Sequence, residues 1–450
     1  MSQLLKDHLA KVFSDTYQAM EKSGYDLLVI SSGSEEYYFS DDRGIPFKTV
    51  PHFSRYCSVA GAGHLIVFDL NKGNPPKLFV YSPDDFWHGN LDIGSLTGLE
   101  FFDVEEFSQK EKRFSDLQKT GVKTAFIGPE NELPAHFDIN PENLVGMLDW
   151  NRSIKTPWEV EQIRRANELA HKGHLNAQRA FHHGKSEFTA YLEYVSSVKM
   201  HPGDLPYEPI VGIDENAAIL HYPGKAYRES GTVLLVDAGA SVNGYASDVT
   251  RTTLNAFSPM SVHGRSMSKE AYDVFSSLLE KMETLHLDLI SKIQPGKNYR
   301  ELHVDACLGV FEILRSVGVF QKTPQDDFHK ISGAKIFFPH GLGHMLGIQV
   351  HDVAGKQMNV SGDMIAPDGD HPFLRNLRPI EPGHVFTVEP GLYFIPSLIE
   401  KARTDANLSS VLGIDNALVE SLTAFGGIRI EDNIFVGEKT VENLTREFFN

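Results

Sequence analysis

Short apolar runs separated by turn-rich polar stretches organise the first third of the chain. Asp26–Ser31 (DLLVIS), Gly63–Asp69 (GHLIVFD), Lys77–Ser82 (KLFVYS) and Lys123–Gly128 (KTAFIG) have the length and apolar content of strands, and turn chemistry such as Asn71–Pro76 (NKGNPP) divides them. The preceding stretch, MSQLLKDHLAKVFSDTYQAM, has the charged amphipathic pattern of a helix. The combination predicts an α/β unit.

The pattern changes near Asn151–Thr156. Thr156-Pro157-Trp158-Glu159 starts a helix, with Thr as N-cap, Pro at the first helical position and Glu at the third. Val160, Ile163, Ala166 and Leu169 then recur at helical spacing, to about Phe181. Helix, strands, a long helix near Ser268–Ile293, another near Tyr299–Val317 and further strands follow. The expected class is α+β, with an N-terminal α/β domain over 1–153 and a second domain over 154–450. Two connections are long: Lys356–Pro382, which is rich in Gly, Asp and Pro and contains His371-Pro372-Phe373-Leu374-Arg375, and Pro396–Gly427. Connections of that length are expected to be lids or surface decoration.

Composition narrows the function classes. With 450 residues, 41% hydrophobic and 23% charged, the chain is that of an ordinary globular protein large enough for two or three cores. A formal charge of −18 disfavours nucleic acid or an anionic membrane as the main partner and leaves acids available for divalent cations. The two cysteines, Cys57 and Cys307, are too few for a disulfide framework and suit a reducing compartment. The N-terminus lacks the apolar core and cleavage site of a signal peptide, and no apolar run reaches membrane-spanning length, so a cytoplasmic location is expected.

The segment FFPHGLGHMLGIQVHD, Phe337 to Asp352, holds His340, His344 and His351 among three glycines. His340 and His344 would share a helix face, but the glycines disfavour a helix and favour an irregular or extended backbone passing close to something buried. Acids elsewhere sit where acids are costly. Val233–Val236 reads as a strand buried on both faces, and Asp237 continues it. Asn243-Gly244 is a hairpin signal that pairs 242 with 245, 239 with 248 and 237 with 250. Asp237 and Asp248 are then diagonal neighbours about 7–8 Å apart at the backbone, within joint reach of one cation. The bland alternative is an Asp248–Arg251 ion pair with Asp237 capping a turn. Glu389 ends the apolar strand HVFTVEPGLYF, and GGIRIEDNIFV turns Arg429 and Glu431 to one face, where Arg429 could simply neutralise Glu431. Taken together, Asp237, Asp248, Glu389, Glu431 and one histidine balance two divalent cations, and an oxygen-rich set with one imidazole suits Mn²⁺, with Co²⁺, Fe²⁺ or Zn²⁺ under other loading.

VDAGA…SDVTRT, HGLGHMLGIQVHD, FTVEPGLYF and GGIRIEDN, in that order, resemble the metal-binding motifs of the pita-bread metallopeptidases. Within them the chain is most similar to bacterial prolidases, the Xaa-Pro dipeptidases that include the organophosphorus acid anhydrolases, and Ser40–Lys48 (SDDRGIPFK) and Pro83–His88 (PDDFWH) match that subgroup. The resemblance implies a pita-bread catalytic domain with Asp237, Asp248, His344, Glu389 and Glu431 as ligands. Asp248 and Glu431 would bridge the two metals, and His221, His340 and His351 would line the site without binding metal. It implies a bridging hydroxide as nucleophile, Glu389 as proton acceptor and donor, and His351 and His221 as stabilisers of the oxyanion or the leaving nitrogen. Arg429 and His340 would read the substrate carboxylate, Asp42 its amine, and Tyr207, Tyr299, Val350 and Leu374 would form apolar walls. A homodimer is implied, in which the N-terminal domain of a second subunit contributes to the site and lies over it as a lid. Organophosphate hydrolysis would be a side activity. The rival readings are an Xaa-Pro aminopeptidase of the same fold and a pita-bread domain that binds without catalysis. Neither HExxH nor GxSxG occurs, which removes the zincin and hydrolase-elbow alternatives.

Overall fold

The computed structural model describes residues 3–83, 98–117, 120–129, 136–257, 261–262, 265–367 and 369–449. Asp84 to His88 of the second N-terminal motif lie outside the described residues. The chain forms two compact units. One comprises Met1–Gln162, Val242–Tyr245 and Gln357–Ile365; the other comprises Ile163–Ser241, Ala246–Lys356 and Ala366–Asn450.

The first unit is built on a mixed six-stranded sheet. Its spatial order is Asp103–Phe107, Lys77–Tyr81, Leu65–Asp69, Leu27–Ser31, Thr124–Ile127 and Asp138–Ile139. The central strand pairs antiparallel with Leu65–Asp69 and parallel with Thr124–Ile127. Both faces of the sheet are covered, which is why these strands read as continuous apolar runs rather than alternating ones. Leu28, Ile30, Ile66 and Phe68 pack beneath the helix Gln3–Ser23 through Leu9, Val12, Phe13 and Met20. Leu27, Val29, Val67, Phe79 and Phe126 form the opposite layer. The helix Pro157–His182 starts with the expected reciprocal cap: Glu159 N donates to Thr156 Oγ1 at 3.4 Å and Thr156 N donates to Glu159 Oε2 at 2.7 Å. Glu159 is fully buried, 3.4 Å from the Arg55 guanidinium and an acceptor for the Tyr245 hydroxyl at 2.8 Å.

The second unit carries the chemistry on the ends of short strands. Thr250–Leu254, Val233–Asp237 and Ile210–Ile213 form one antiparallel sheet, with Thr250 opposite Asp237 as the hairpin register predicts. The turn residues Asn243 and Gly244 both have positive φ, 49° and 83°, as a type I′ turn requires. Val385–Val388, Asp432–Val436 and Val441–Asn443 form a second sheet, and Gly391–Tyr393 pairs with Gly427–Arg429. An isolated bridge between Thr250 and Glu431 joins the first strand set to the last.

Helices cover these strands, and their polar side chains satisfy the carbonyls left where the ladders break. Tyr299 of Tyr299–Ser316 donates to Thr387 O at 2.6 Å. His286 of Lys269–Ser291 bonds Val388 O at 3.0 Å, and His174 of Pro157–His182 bonds Ala238 O at 3.0 Å. Each of these carbonyls lies within two residues of Glu389 or Asp237, so the breaks that free the acids are sealed from behind.

One connection differs from its expectation. Pro396–Gly427, expected as an irregular connection, forms three short helices, Pro396–Thr404, Ala406–Leu412 and Asn416–Leu422, followed by a 3₁₀ turn. The start signals were local: Pro396 occupies a first-turn position, and Asp405 and Asp415 each accept from the backbone three residues on, at 2.9 and 3.0 Å. Buried Ile399, Leu412, Val419 and Leu422 then dock the helices. Among its described residues Lys356–Pro382 has no helix or strand longer than an isolated bridge.

Candidate metal centre

The glycine-rich segment around His344 is extended backbone lying along Val385–Val388. Thr387 N donates to His344 O at 2.9 Å, Glu389 N to Leu342 O at 2.8 Å and Leu346 N to Val385 O at 2.9 Å. This pairing sets His344 beside Thr387 and Glu389. A Cβ on Gly343 would collide with Thr387 O and the Tyr299 hydroxyl, so only glycine permits the approach. His344 Nδ1–H donates to Met345 O at 3.0 Å, which leaves the Nε2 lone pair to the site. Nε2 lies 3.3 Å from Asp248 Oδ2 and 3.6 Å from Glu389 Oε1.

Asp248, His344 and Glu431 are all buried and place one ligand atom each within 4.8 Å of one another. Asp237 joins through Tyr207, whose hydroxyl lies 2.8 Å from Asp237 Oδ1 and 2.5 Å from Asp248 Oδ1. One proton cannot serve both contacts. Glu431 Oε2 accepts from Thr250 Oγ1 at 2.7 Å, whereas Oε1 is buried and has no hydrogen-bond partner among the described residues. Four carboxylates with an orphaned oxygen, next to an imidazole with a free lone pair, fit a divalent cation set and are poorly satisfied by protein alone.

The charges tell the same story. Burial, followed by repulsion from Asp248, Glu389 and Asp237, holds the Glu431 carboxyl well above the usual range. Burial lifts Glu389 to about 7, partly offset by His344 and Arg429, and lifts Asp237 despite its Arg429 partner. Burial also acts upward on Asp248, but the His344 hydrogen bond and charge outweigh it and hold that carboxyl low, as His344 is correspondingly raised. The site favours protons wherever no cation balances it.

A cavity of about 630 Å³ opens over this group and is also lined by His221, His340, His351, Lys356, Arg375 and Arg429. The His351 ring stands edge-on to His344 with centroids 4.3 Å apart. Lost solvation, then His344 and Arg375, push it down to about 4. Arg429 is buried, ion-paired to Asp237 Oδ2, and donates to Tyr393 Oη at 2.9 Å and Thr250 Oγ1 at 3.1 Å. The Tyr393 hydroxyl then lies 2.9 Å from His340 Nε2, and His340 Nδ1 lies 2.8 Å from Gly341 O. Burial and Arg429 push His340 down to about 3, so it is neutral with both ring nitrogens engaged. Neither the Asp248–Arg251 pair nor a direct Arg429–Glu431 pair forms: Arg251 donates to Asp432 at 2.7 Å, and Thr250 stands between Arg429 and Glu431.

The expected apolar walls are placed otherwise. Tyr207 bonds the carboxylates through its hydroxyl, and Tyr299 is fully buried behind the strand that leads to Glu389. Leu374 is buried and faces a neighbouring cavity of about 310 Å³, and Val350 is absent from the lining. Asp42 is exposed in the first unit and is not among the lining residues. The apolar lining comes instead from Leu220, Phe373, Ile395 and Leu398. Arg375 is exposed and makes no hydrogen bond or ion pair among the described residues. Sequence reasoning missed Thr250, Tyr393 and Arg375 as site residues. Neither Tyr393, which follows the Pro390-Gly391 break after Glu389, nor Arg375 in a loop carried a local signal.

Comparisons with known proteins agree with this geometry. The profile of metallopeptidase family M24 matches residues 161–438, and that of the Xaa-Pro dipeptidase N-terminal domain matches residues 3–150. The chain is 36% identical to an Xaa-Pro dipeptidase of Stenotrophomonas maltophilia (strain R551-3), covering 99% of this chain and 97% of the relative. It is 37% identical to one of Pseudoalteromonas atlantica, covering 99% and 98%. Among solved structures, aminopeptidase P from E. coli aligns with a TM-score of 0.72 at 24% identity over 100% of this chain and 96% of that one. Proline aminopeptidase P II from Yersinia pestis aligns at 0.71 and 22% over 100% and 97%; at such identities the likeness shows the fold. With the pita-bread fold, a buried Asp-His-Glu group and full-length relatives in hand, the chain belongs to metallopeptidase family M24 and is similar throughout to its Xaa-Pro dipeptidases.

Proposed function

We propose that this protein is an Xaa-Pro dipeptidase that holds two divalent cations, Mn²⁺ by preference, on Asp237, Asp248, His344, Glu389 and Glu431. The observation that carries the reading is a group of four carboxylates, Asp248 and Glu431 buried and Asp237 and Glu389 half-buried, with one imidazole lone pair and an orphaned Glu431 oxygen, inside a chain whose full-length relatives bear that name. Bound cations would polarise the scissile carbonyl and lower the pKa of a water to near neutrality. Glu389, which lines the cavity beside His344, would take a proton and return it to the leaving nitrogen. His351, neutral at working pH, and His221 line the cavity as donors to the developing oxyanion. Arg429 holds Asp237 and Tyr393 rather than substrate; of the two other cations lining the cavity, Lys356 and Arg375, the planar guanidinium of Arg375 is the better match to a C-terminal carboxylate.

The first domain, 1–153, serves a homodimer in this reading, and the catalytic domain is 154–450. Phe39 is 99% exposed, with Tyr37, Tyr38 and Ile45 exposed beside it on the turn that carries Asp42, an apolar tip suited to burial against a second copy, where Asp42 would meet the substrate amine. Light scattering that finds only monomers would remove that part. A phosphotriester offers a similarly polarised oxygen and leaving group, so slow organophosphate hydrolysis belongs to the reading as a side activity. Two buried, unpaired cysteines suit a cytoplasmic setting. The test is proline release from Leu-Pro by chelator-stripped protein with and without Mn²⁺, alongside Leu-Pro-Gly. Metal-dependent cleavage confined to the dipeptide is expected; cleavage of the tripeptide would move the assignment to an aminopeptidase.

A further inference from the structure

Thr250 is the residue at which the separate parts of the acid group meet. It is fully buried, its backbone pairs with Asp237 on one side, and it bridges to Glu431 on the other, Glu431 N donating to Thr250 O at 3.1 Å. Its hydroxyl lies 3.1 Å from Arg429 Nε and 2.7 Å from Glu431 Oε2. A guanidinium can only donate, so the single hydroxyl proton is directed to the carboxylate. That leaves Oε1 as the Glu431 oxygen without a hydrogen-bond partner among the described residues.

We infer that Thr250 is a positioning residue of the metal centre: its hydroxyl, oriented by Arg429, ties down one oxygen of Glu431 and so presents the other to a cation. Thr252, two residues along the same strand, supplies a contrast. Its hydroxyl exchanges two 3.0 Å hydrogen bonds with the backbone of Arg429 and stitches the strands together without touching a ligand. A merely structural role for Thr250 would make the two threonines equivalent. Outer-sphere partners of this kind typically change metal affinity by about 10–100-fold when removed.

The inference rests on the metal-dependent reading of the site, and its experiment separates the two. Mn²⁺ is titrated into the chelator-stripped full chain, and the unfolding midpoint without metal is measured in parallel. Thr250→Val should weaken Mn²⁺ binding about 10–100-fold, Thr250→Ser should restore it, and Thr252→Val should lower the metal-free midpoint while leaving Mn²⁺ affinity at the wild-type value. Wild-type affinity in Thr250→Val, or an equal loss in Thr252→Val, would overturn the positioning role. Should Thr250→Val fail to fold, Thr250→Ala replaces it, and failure of both to fold would assign Thr250 to the core instead. Absence of Mn²⁺ binding by the wild type would refute the reading of the site itself.

Discussion

Tyr299→Phe distinguishes a buttress from a pocket wall. The substitution removes a single oxygen, whose proton is donated to Thr387 O at 2.6 Å, and retains a ring that packs edge-on against Phe386 at 5.2 Å. If Tyr299 were an apolar wall, phenylalanine would serve equally well. Because the residue is fully buried, the change instead removes a buried carbonyl's hydrogen-bond donor, which costs about 1–3 kcal/mol. For a domain of this size that corresponds to a lower unfolding midpoint of about 2–4 °C per kcal/mol. The loosened carbonyl lies two residues before Glu389 and is flanked by the backbone pairing that holds His344, so kcat should fall while KM for Leu-Pro stays near wild type. The assay is thermal unfolding of the metal-free protein together with steady-state Leu-Pro hydrolysis. An unchanged midpoint accompanied by an altered KM would show that the hydroxyl serves substrate and not Thr387 O, and that the buttress assignment is mistaken.

Other consequences follow from the charge pattern. Asp432 is fully buried and held by Arg251, Arg446 and Asn443 at 2.7–2.8 Å, and despite its burial these partners hold its carboxyl below the usual range. Its stabilisation is therefore present above the unfolded value near ~3.9 and lost as pH falls through the folded one. Asp432→Asn should cost about 3–5 kcal/mol near neutral pH, with the difference from wild type shrinking in acid during denaturant titrations. Glu389 runs the opposite way. Its folded pKa of about 7 is raised by burial, so its contribution to metal-free stability is present below the unfolded value and lost as pH rises through neutrality. The unfolding midpoint of stripped protein should fall between about pH 5 and about pH 8, and added Mn²⁺ should abolish the fall; a pH-independent midpoint would contradict the burial of uncompensated acids. Arg375→Met should lower kcat/KM for Leu-Pro by about 10–100-fold, mainly through KM, as expected for one charge-assisted contact of about 1.5–3 kcal/mol; a pure kcat effect would point away from carboxylate binding.

Much of the framework was legible because local rules and tertiary demands agree. The reciprocal cap at Thr156 and Glu159 formed, and the Asn243-Gly244 turn set the register that puts Thr250 opposite Asp237. Strands buried on both faces were visible as unbroken apolar runs, and the acids at their ends were conspicuous for that reason. Other features depend on contacts distant in sequence. Nothing local says that Arg429 pairs with Asp237, 192 positions away, rather than with nearby Glu431, or that Arg251 reaches Asp432. Tyr207 and Tyr299 read as apolar because the pattern weighs the ring, whereas their position in the fold makes the hydroxyl decisive. The helices of Pro396–Gly427 were missed because each is too short to establish a period, although the caps at Asp405 and Asp415 marked their starts.

The most direct test of the central claim is the number of Mn²⁺ ions held per chain, measured by elemental analysis after stripping, reloading and removal of free metal, with Leu-Pro turnover followed on the same samples. Two ions per chain, with activity rising as they bind and both lost in Glu431→Gln, is the predicted result. Turnover of Leu-Pro by protein that holds no metal, or full loading of Glu431→Gln, would contradict it.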